Sequence, residues 1–279
     1  MENSDDAVIV PSADTGRDPW VGLRKFTAAR IALGRTGGSQ RMETVLDFRL
    51  SHARARDAVM APFDAEGLAD RLRKAGFGTH GIGTAVTDKK TYLVRPDLGR
   101  KLAETARGEL AKSAEEWGAR DLVIIVSDGL AAQAAERHAV ETITLLAELL
   151  TAEGWTLYPI LLAPFGRVKL QDEVGELLGA RHALMLLGER PGLGMPDSLG
   201  AYLTHHPRTT CTDADRNCVS NIRPEGLPPA AAARKLAHLL IESARLGVSG
   251  VALKDTQLSA ELEAPRPVAG KTLRSIDKP

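Results

Sequence analysis

Residues 182–194, His-Ala-Leu-Met-Leu-Leu-Gly-Glu-Arg-Pro-Gly-Leu-Gly, hold a dense set of groups able to meet a ligand. One carboxylate, Glu189, and one guanidinium, Arg190, stand in a loop punctuated by Gly188, Pro191, Gly192 and Gly194. A carboxylate there can accept a hydrogen bond from an amide N–H. Glycine lets backbone approach a ligand closely, and proline stiffens the turn. The same stretch also suits a tight strand-to-helix connection that touches nothing. Ser127-Asp128-Gly129 and Phe165-Gly166-Arg167-Val168 are two further turns of this kind.

The remaining reactive residue types form no catalytic set. Cys211 and Cys218 stand seven positions apart, which is not the spacing of a metal hairpin. His205 and His206 are adjacent, and neighbours in a strand point to opposite faces. Gly192-Leu-Gly194 and Gly81-Ile-Gly83 lack the third glycine of a dinucleotide fingerprint, and no phosphate loop of the G-x-x-x-x-G-K type occurs. The turn at Ser127 is not a nucleophile elbow. These residues describe a ligand-binding surface without a nucleophile, base or metal constellation of its own.

Periodicity identifies the elements that must carry this surface. Leu122–Val126, Trp155–Leu162 and Ala183–Leu187 are apolar runs suited to strands buried on both faces. Helices are expected over about 130–152, through Val174 to Leu178, and from Pro229 to Arg245, with Gly154 and Gly179 as stops. Thr209–Thr212 and Val248–Leu253 read as further short strands. Alternation of strand and helix predicts an α/β fold, a doubly wound open parallel sheet with helices on both faces. Ligands of such sheets sit outside the carboxyl ends of the strands, where the three turns fall.

A small helical part precedes the sheet. Helices are expected from Trp20 to Leu33, from Met42, and from Asp64, whose side chain suits an N-cap, to a stop at Gly76. Residues 76–91 are glycine-rich and read as a connection. A further helix follows Pro96, with Leu98, Leu102, Ala106, Leu110 and Trp117 as its stripe. The expected division is a disordered N-terminus (1–16), a helical N-terminal region (17–94), a sheet domain (95–253) and a polar C-terminal tail (254–279).

Composition limits the partners. Among 279 residues, 36 Lys+Arg balance 36 Asp+Glu, which argues against bulk nucleic-acid binding. No apolar run reaches the roughly 20 residues of a membrane span. The acidic N-terminus lacks the features of a signal peptide. Two cysteines do not make a disulfide scaffold in a chain this long, and a reducing, cytoplasmic compartment is expected. From Arg17 to Arg56 nine basic residues face three acidic ones. That excess is either a solvated helix face or a docking surface for an acidic partner.

Several motifs then converge on one family. Phe165-Gly-Arg-Val-Lys169, Gly188-Glu-Arg-Pro-Gly-Leu-Gly194, Asp215-Arg-Asn-Cys218 and Ser220-Asn-Ile222 resemble the small subunit of ethanolamine ammonia-lyase. Arg95-Pro-Asp-Leu-Gly99, Val126-Ser-Asp-Gly-Leu130 and the Leu-Arg-x-x-Thr-x-x-Arg pattern within residues 20–35 match it too, and the resemblance spans about residues 17–253. It implies an adenosylcobalamin-dependent lyase that converts ethanolamine to acetaldehyde and ammonia by radical chemistry. The large subunit would carry the substrate site. The small subunit would supply a Rossmann-like domain embracing the lower, nucleotide side of cobalamin.

By position in the family motifs, cofactor contacts fall on Val168, Glu189 and Cys218. Ser127 and Asp128, ending a neighbouring strand, are secondary candidates. The chemistry agrees, because cobalamin presents amides, apolar rings and one phosphodiester, and suits apolar walls with few charges. Val168 and Cys218 could instead be ordinary core, and Glu189 could form a local ion pair with Arg190. The D-x-H-x-x-G pattern is absent, so the cofactor is expected to keep its own benzimidazole on cobalt. Family members serving bacterial microcompartments carry an N-terminal extension, and the short N-terminus here leaves encapsulation open. A stand-alone nucleotide enzyme, or an interaction subunit with no cofactor contact, are the other classes.

Overall fold

The computed structural model describes residues 18–257 except 28 and 37. The predicted disorder of residues 1–16 and most of the predicted tail lie outside the described residues. The order of elements begins with a 3-10 helix (Pro19–Phe26) and a two-residue hairpin of β1 (Arg35–Thr36) and β2 (Ser39–Gln40). Next come α1 (Met42–Met60), α2 (Ala65–Lys74), β3 (Thr79–Gly81), α3 (Lys89–Val94), a 3-10 turn (Leu98–Arg100) and α4 (Glu104–Trp117). The remainder is β4 (Leu122–Ser127), α5 (Ala132–Ala152), β5 (Ile160–Leu162), α6 (Leu170–Leu178), β6 (His182–Gly188), β7 (Leu199–His205), β8 (Arg216–Ile222) and α7 (Pro229–Leu246). Among the described residues no helix is long and apolar enough to cross a membrane.

The main sheet has six strands in the order β3-β5-β4-β6-β7-β8. The first four are parallel, whereas β7 is antiparallel to both β6 and β8. The expectation of a wholly parallel, doubly wound sheet is therefore corrected to a mixed one. The reason is connection length. A parallel return needs a crossover, usually a helix, and residues 189–198 form only a tight loop closed by paired Gly192 and Met195 backbone bonds. The loop after β6 is thus a hairpin and not a strand-to-helix connection.

Helices do cover both faces. One core joins α2, α5 and α7 to Leu122, Ile124, Val126, Leu184 and Leu186. The other joins α4 and α6 to Val123, Ile125, Ala183, Met185 and Leu187. β4 and β6 are buried throughout, which explains their unbroken apolar runs.

Other expectations shift for local reasons. The first helix stops at Phe26, because Arg24 donates to the carbonyls of Ile31 (3.1 Å) and Ala32 (2.6 Å), and Ala32 has φ 53°. Asp64 does cap α2, accepting from the Gly67 N–H at 2.9 Å. The glycine-rich stretch contains β3, the edge strand of the main sheet, and is not merely a connection. The helix after Pro96 starts at Glu104, since Leu102 and Ala103 are drawn away by Glu173 and Gly83. Thr209–Thr212 is a turn, not a strand. Val248–Leu253 carries a 3-10 turn because the Asn217 side chain bonds Gly250 and Leu253 and breaks the strand pattern.

Candidate functional site

Two of the five sequence-selected residues, Val168 and Cys218, line one cleft, and Glu189 follows the end of β6 just outside that lining. Across the strands the register sets Met185 opposite Tyr202, and Tyr202 opposite Cys218. The α6–α4 layer covers the β6 end of this row. Beyond it, Cys218 and Ser220 on β8 are small and exposed and Tyr202 on β7 is half-buried, while Gly200 is buried against the Glu189 carboxylate. The cleft, of about 590 Å³, is lined by Val168, Tyr202, Cys211 and Cys218, with Pro96 and Arg100 on the far wall. Val168 also packs in part against the core below, and so combines the wall and core readings.

The loop bearing Val168 is built from its surroundings. Phe165 takes φ 61°, a left-handed conformation that costs a non-glycine residue energy unless neighbours enforce it. Asp128 accepts from the Phe165 N–H at 2.7 Å, and Ser127 Oγ accepts from the Gly166 N–H at 2.9 Å. Tyr92 donates its hydroxyl proton to the Gly166 carbonyl at 3.1 Å, and burial pushes that phenol upward. Arg167 lies over the Tyr92 ring at 4.0 Å and donates to the Tyr92 carbonyl at 2.9 Å. Gly99 makes this approach feasible, because a β-carbon there would stand 2.7 Å from the Phe165 carbonyl oxygen.

Ser127 and Asp128 thus hold the Val168 loop from beneath. Both are buried, and neither lines the cleft. Asp128 is further paired with Lys89 at 3.1 Å. Their chemistry is spent on the backbone of the neighbouring turn.

Glu189 sits at the end of β6, its N–H bonded to the Ser198 carbonyl at 2.9 Å. Its carboxylate makes no ion pair with Arg190 among the described residues. Oε2 instead accepts from the Ser198 hydroxyl and from the Asn221 N–H, the latter at 3.2 Å. A β-carbon on Gly200 would lie 2.9 Å from Oε1, so the carboxylate rests directly on β7.

Electrostatics around the cleft escaped the sequence reading. Arg100, Arg167, Lys169 and Arg216 line it against one exposed carboxylate, Asp213. Arg216 pairs with Asp213 at 2.9 Å and with the buried Asp172. Lys169 reaches Asp172 at 3.3 Å and the carbonyls of Thr209 and Cys211. Burial pushes the Asp172 carboxyl up despite these two cations. Burial likewise raises Tyr202 and the Cys218 thiol, which lie side by side on the cleft floor. That thiol is protonated at neutral pH and is an apolar wall, not a nucleophile. The lining residues come from segments more than a hundred positions apart, so no local spacing signalled them.

At the opposite end of β6 and β7 a histidine cluster corrects another expectation. His206 has φ 43°, and this turn swings its ring to 4.2 Å from that of His205, so the two do not point apart. His205 Nδ1 lies 3.0 Å from His182 Nε2, which also meets Ser243 at 3.1 Å.

Comparison with known proteins covers nearly all of the described residues. The profile of the ethanolamine ammonia-lyase light chain family matches residues 17–254. An Azotobacter vinelandii protein named ethanolamine ammonia-lyase small subunit is 51% identical over 251 residues, 88% of this chain and 92% of the relative. A protein of the same name from Pseudomonas paraeruginosa is 47% identical over 264 residues, covering 94% and 97%. One from Pseudomonas putida is 50% identical over 242 residues, covering 86% and 89%.

Proposed function

The chain belongs to the ethanolamine ammonia-lyase light chain family, and from that premise we propose that it binds the nucleotide side of adenosylcobalamin for a large partner subunit that carries the substrate site. The observation that carries this reading is the cleft lined by Val168, Tyr202 and Cys218, with the Glu189 carboxylate beyond it against Gly200, two residues from Tyr202 on the same strand. A broad ligand with apolar rings, peripheral amides and an anionic phosphodiester suits a cleft that combines Val168, Tyr202 and Cys218 with four cations. The site offers small side chains and a carboxylate oxygen open to an N–H donor. Arg100 makes no ion pair among the described residues and suits the single phosphodiester.

The cofactor, when bound, supplies the radical that begins the conversion of ethanolamine to acetaldehyde and ammonia. The residues of this chain bind and orient. Val168 and Cys218 exclude water from the ligand's apolar surface, and Glu189 accepts from an amide. The Ser127–Asp128 clamp fixes the loop that presents Val168. We read the parallel half of the sheet as the Rossmann-like part, and the antiparallel half as the ligand platform. A cytoplasmic setting suits two free cysteines, and encapsulation in a microcompartment is the alternative location.

Exposed apolar side chains favour an interface at the N-terminal region. Trp20, Phe26, Met42, Leu46 and Leu50 are all at least half exposed, beside the basic excess of residues 17–56. Large apolar side chains clustered on a surface mark contact with another protein. The large subunit is the partner that this reading assigns to them.

The test is reconstitution. Ethanolamine and adenosylcobalamin are supplied to this chain, to the large subunit, and to both together, and acetaldehyde is measured. Turnover is expected only with both. Acetaldehyde from this chain alone would refute the division of labour.

A further inference from the structure

The Glu189 carboxylate is held by a device that the cleft itself does not need. Between β7 and β8 the register slips: Leu199 faces Ile222, yet Ala201 faces Val219. β8 therefore carries one extra residue, a β-bulge at Ser220–Asn221. Bulges re-aim backbone groups beside functional sites. Here the extra residue, Asn221, takes φ 57°. Its N–H leaves the ladder and points at Glu189 Oε2, 3.2 Å away.

The bulge is locked from the other side. Leu227 donates to the Asn221 carbonyl at 2.8 Å, and Arg223 Nε donates to its side-chain oxygen at 3.0 Å. Gly226 packs so close that a β-carbon there would meet the Asn221 carbonyl oxygen at 2.4 Å. Ser198, itself buried, supplies the second donor to the same Oε2. Both donors thus fall on one oxygen. Oε1 accepts no hydrogen bond among the described residues, and it rests over Gly200 on the face that carries Tyr202.

We infer that Ser198 and the Asn221 N–H are positioning groups for Glu189, which tie Oε2 so that Oε1 is presented, already oriented, to an N–H donor of the bound ligand. This rests on the cofactor reading above, and deepens it by naming what sets the geometry of that contact. A carboxylate on a free side chain must lose its rotamer freedom on binding, whereas one already fixed does not. The pair also selects the ligand group. An amide N–H is accepted, while a carboxylate at the same place would meet Oε1 with like charge.

The test uses the full complex with the large subunit and measures cyanocobalamin binding by equilibrium dialysis, together with the rate at saturating adenosylcobalamin. Ser198→Ala is expected to weaken binding about three- to tenfold, the range of one ordinary hydrogen bond, since the Asn221 N–H still holds Oε2, with the saturated rate little changed. Ser198→Thr, which keeps the hydroxyl, should restore most of the affinity. In a Glu189→Ala background, Ser198→Ala should have no further effect, because two groups acting through one contact are not additive. An additive loss in the double variant, or equal weakening by Ser198→Thr and Ser198→Ala, would show a merely structural role and overturn the inference. Normal binding by Ser198→Ala beside weakened binding by Glu189→Ala would overturn it while leaving the cofactor reading intact. A wild-type complex that does not bind cyanocobalamin would overturn both.

Discussion

The β-carbon that Gly129 lacks would stand 2.1 Å from the carbonyl oxygen of Gly188. The turn after β4 and the end of β6 are in backbone contact, and Leu130 N–H seals it with a 2.9 Å bond to that same oxygen. Glu189 follows immediately. The contact therefore fixes where the candidate ligand residue leaves the sheet.

A Gly188→Ala variant tests this contact. Its new methyl would fall 2.0 Å from the Ala131 carbonyl oxygen, which is backbone and cannot swing aside. Overpacking of this kind costs about 1–3 kcal/mol, and a backbone clash belongs at the upper end. Urea denaturation should show a lower midpoint with an unchanged slope. A midpoint equal to wild type would mean that the turn moves freely.

Glu189→Ala removes the acceptor itself. Leaving a ligand amide unpaired costs roughly 1–3 kcal/mol, or about a 5- to 150-fold weaker apparent affinity for adenosylcobalamin. The saturated rate should change far less, since the reacting groups belong to the partner. Collapse of that rate with normal affinity would instead place Glu189 at the subunit interface or in the chemistry.

The histidine cluster predicts acid sensitivity. His182 is pushed down to about 3, first by burial and then by His205. His205 is pushed down to about 4, first by burial and then by His206. Arg181 opposes protonation of both, while Asp121 favours it weakly at His182. The unfolded histidines take up protons near pH 6.5, before the folded ones do. Stability is therefore full above that pH and falls as the pH drops toward 4. The slope is at most about 1.4 kcal/mol per pH unit for each such group, and less for the partly exposed His205. Urea midpoints for wild type and His182→Gln, compared at pH 8 and pH 5.5, should converge as acid is added. Parallel slopes would exclude the cluster as the cause.

Deleting residues 1–60 should abolish association with the large subunit while leaving the sheet folded. In α1 only Thr44 and Ala58 are buried, so the helix contributes little to the core. Size-exclusion chromatography of the mixed subunits, with circular dichroism of the truncated chain alone, reads both parts. Intact coassembly would return the basic excess to a solvated face.

The sequence made the central layer readable because burial on both faces leaves a plain signal. The runs in β4 and β6 are apolar from end to end, and α5 and α7 show their stripes. β7 and β8 were missed for the reason that makes them useful. β8 exposes Cys218 and Ser220 on the cleft side, and β7 sets Gly200, Tyr202 and Thr204 there, so neither strand shows the unbroken apolar run of β4 and β6. The β-branched stretch Thr209–Thr212 mimicked a strand in their place, yet it lies in a turn. β3, only Thr79–Gly81, is too short and too glycine-rich to register. Val168, Glu189 and Cys218 became candidates through family motifs, since no spacing rule links them. Tyr202, Arg100 and the Asn221 bulge had no local signature, because each acquires its role from residues distant in the chain.

The mixed topology also sets an order of assembly. β6, β7 and β8 are consecutive in the chain, whereas Thr79 in β3 must find Ile160 in β5. Closing a short loop costs less chain entropy than closing a long one, and local pairings form sooner. During synthesis, then, β3 emerges from the ribosome early but has no strand to join until β5 follows. β4, apolar throughout, waits likewise for β5 and β6, whereas the antiparallel platform joins strands that follow one another directly in the chain.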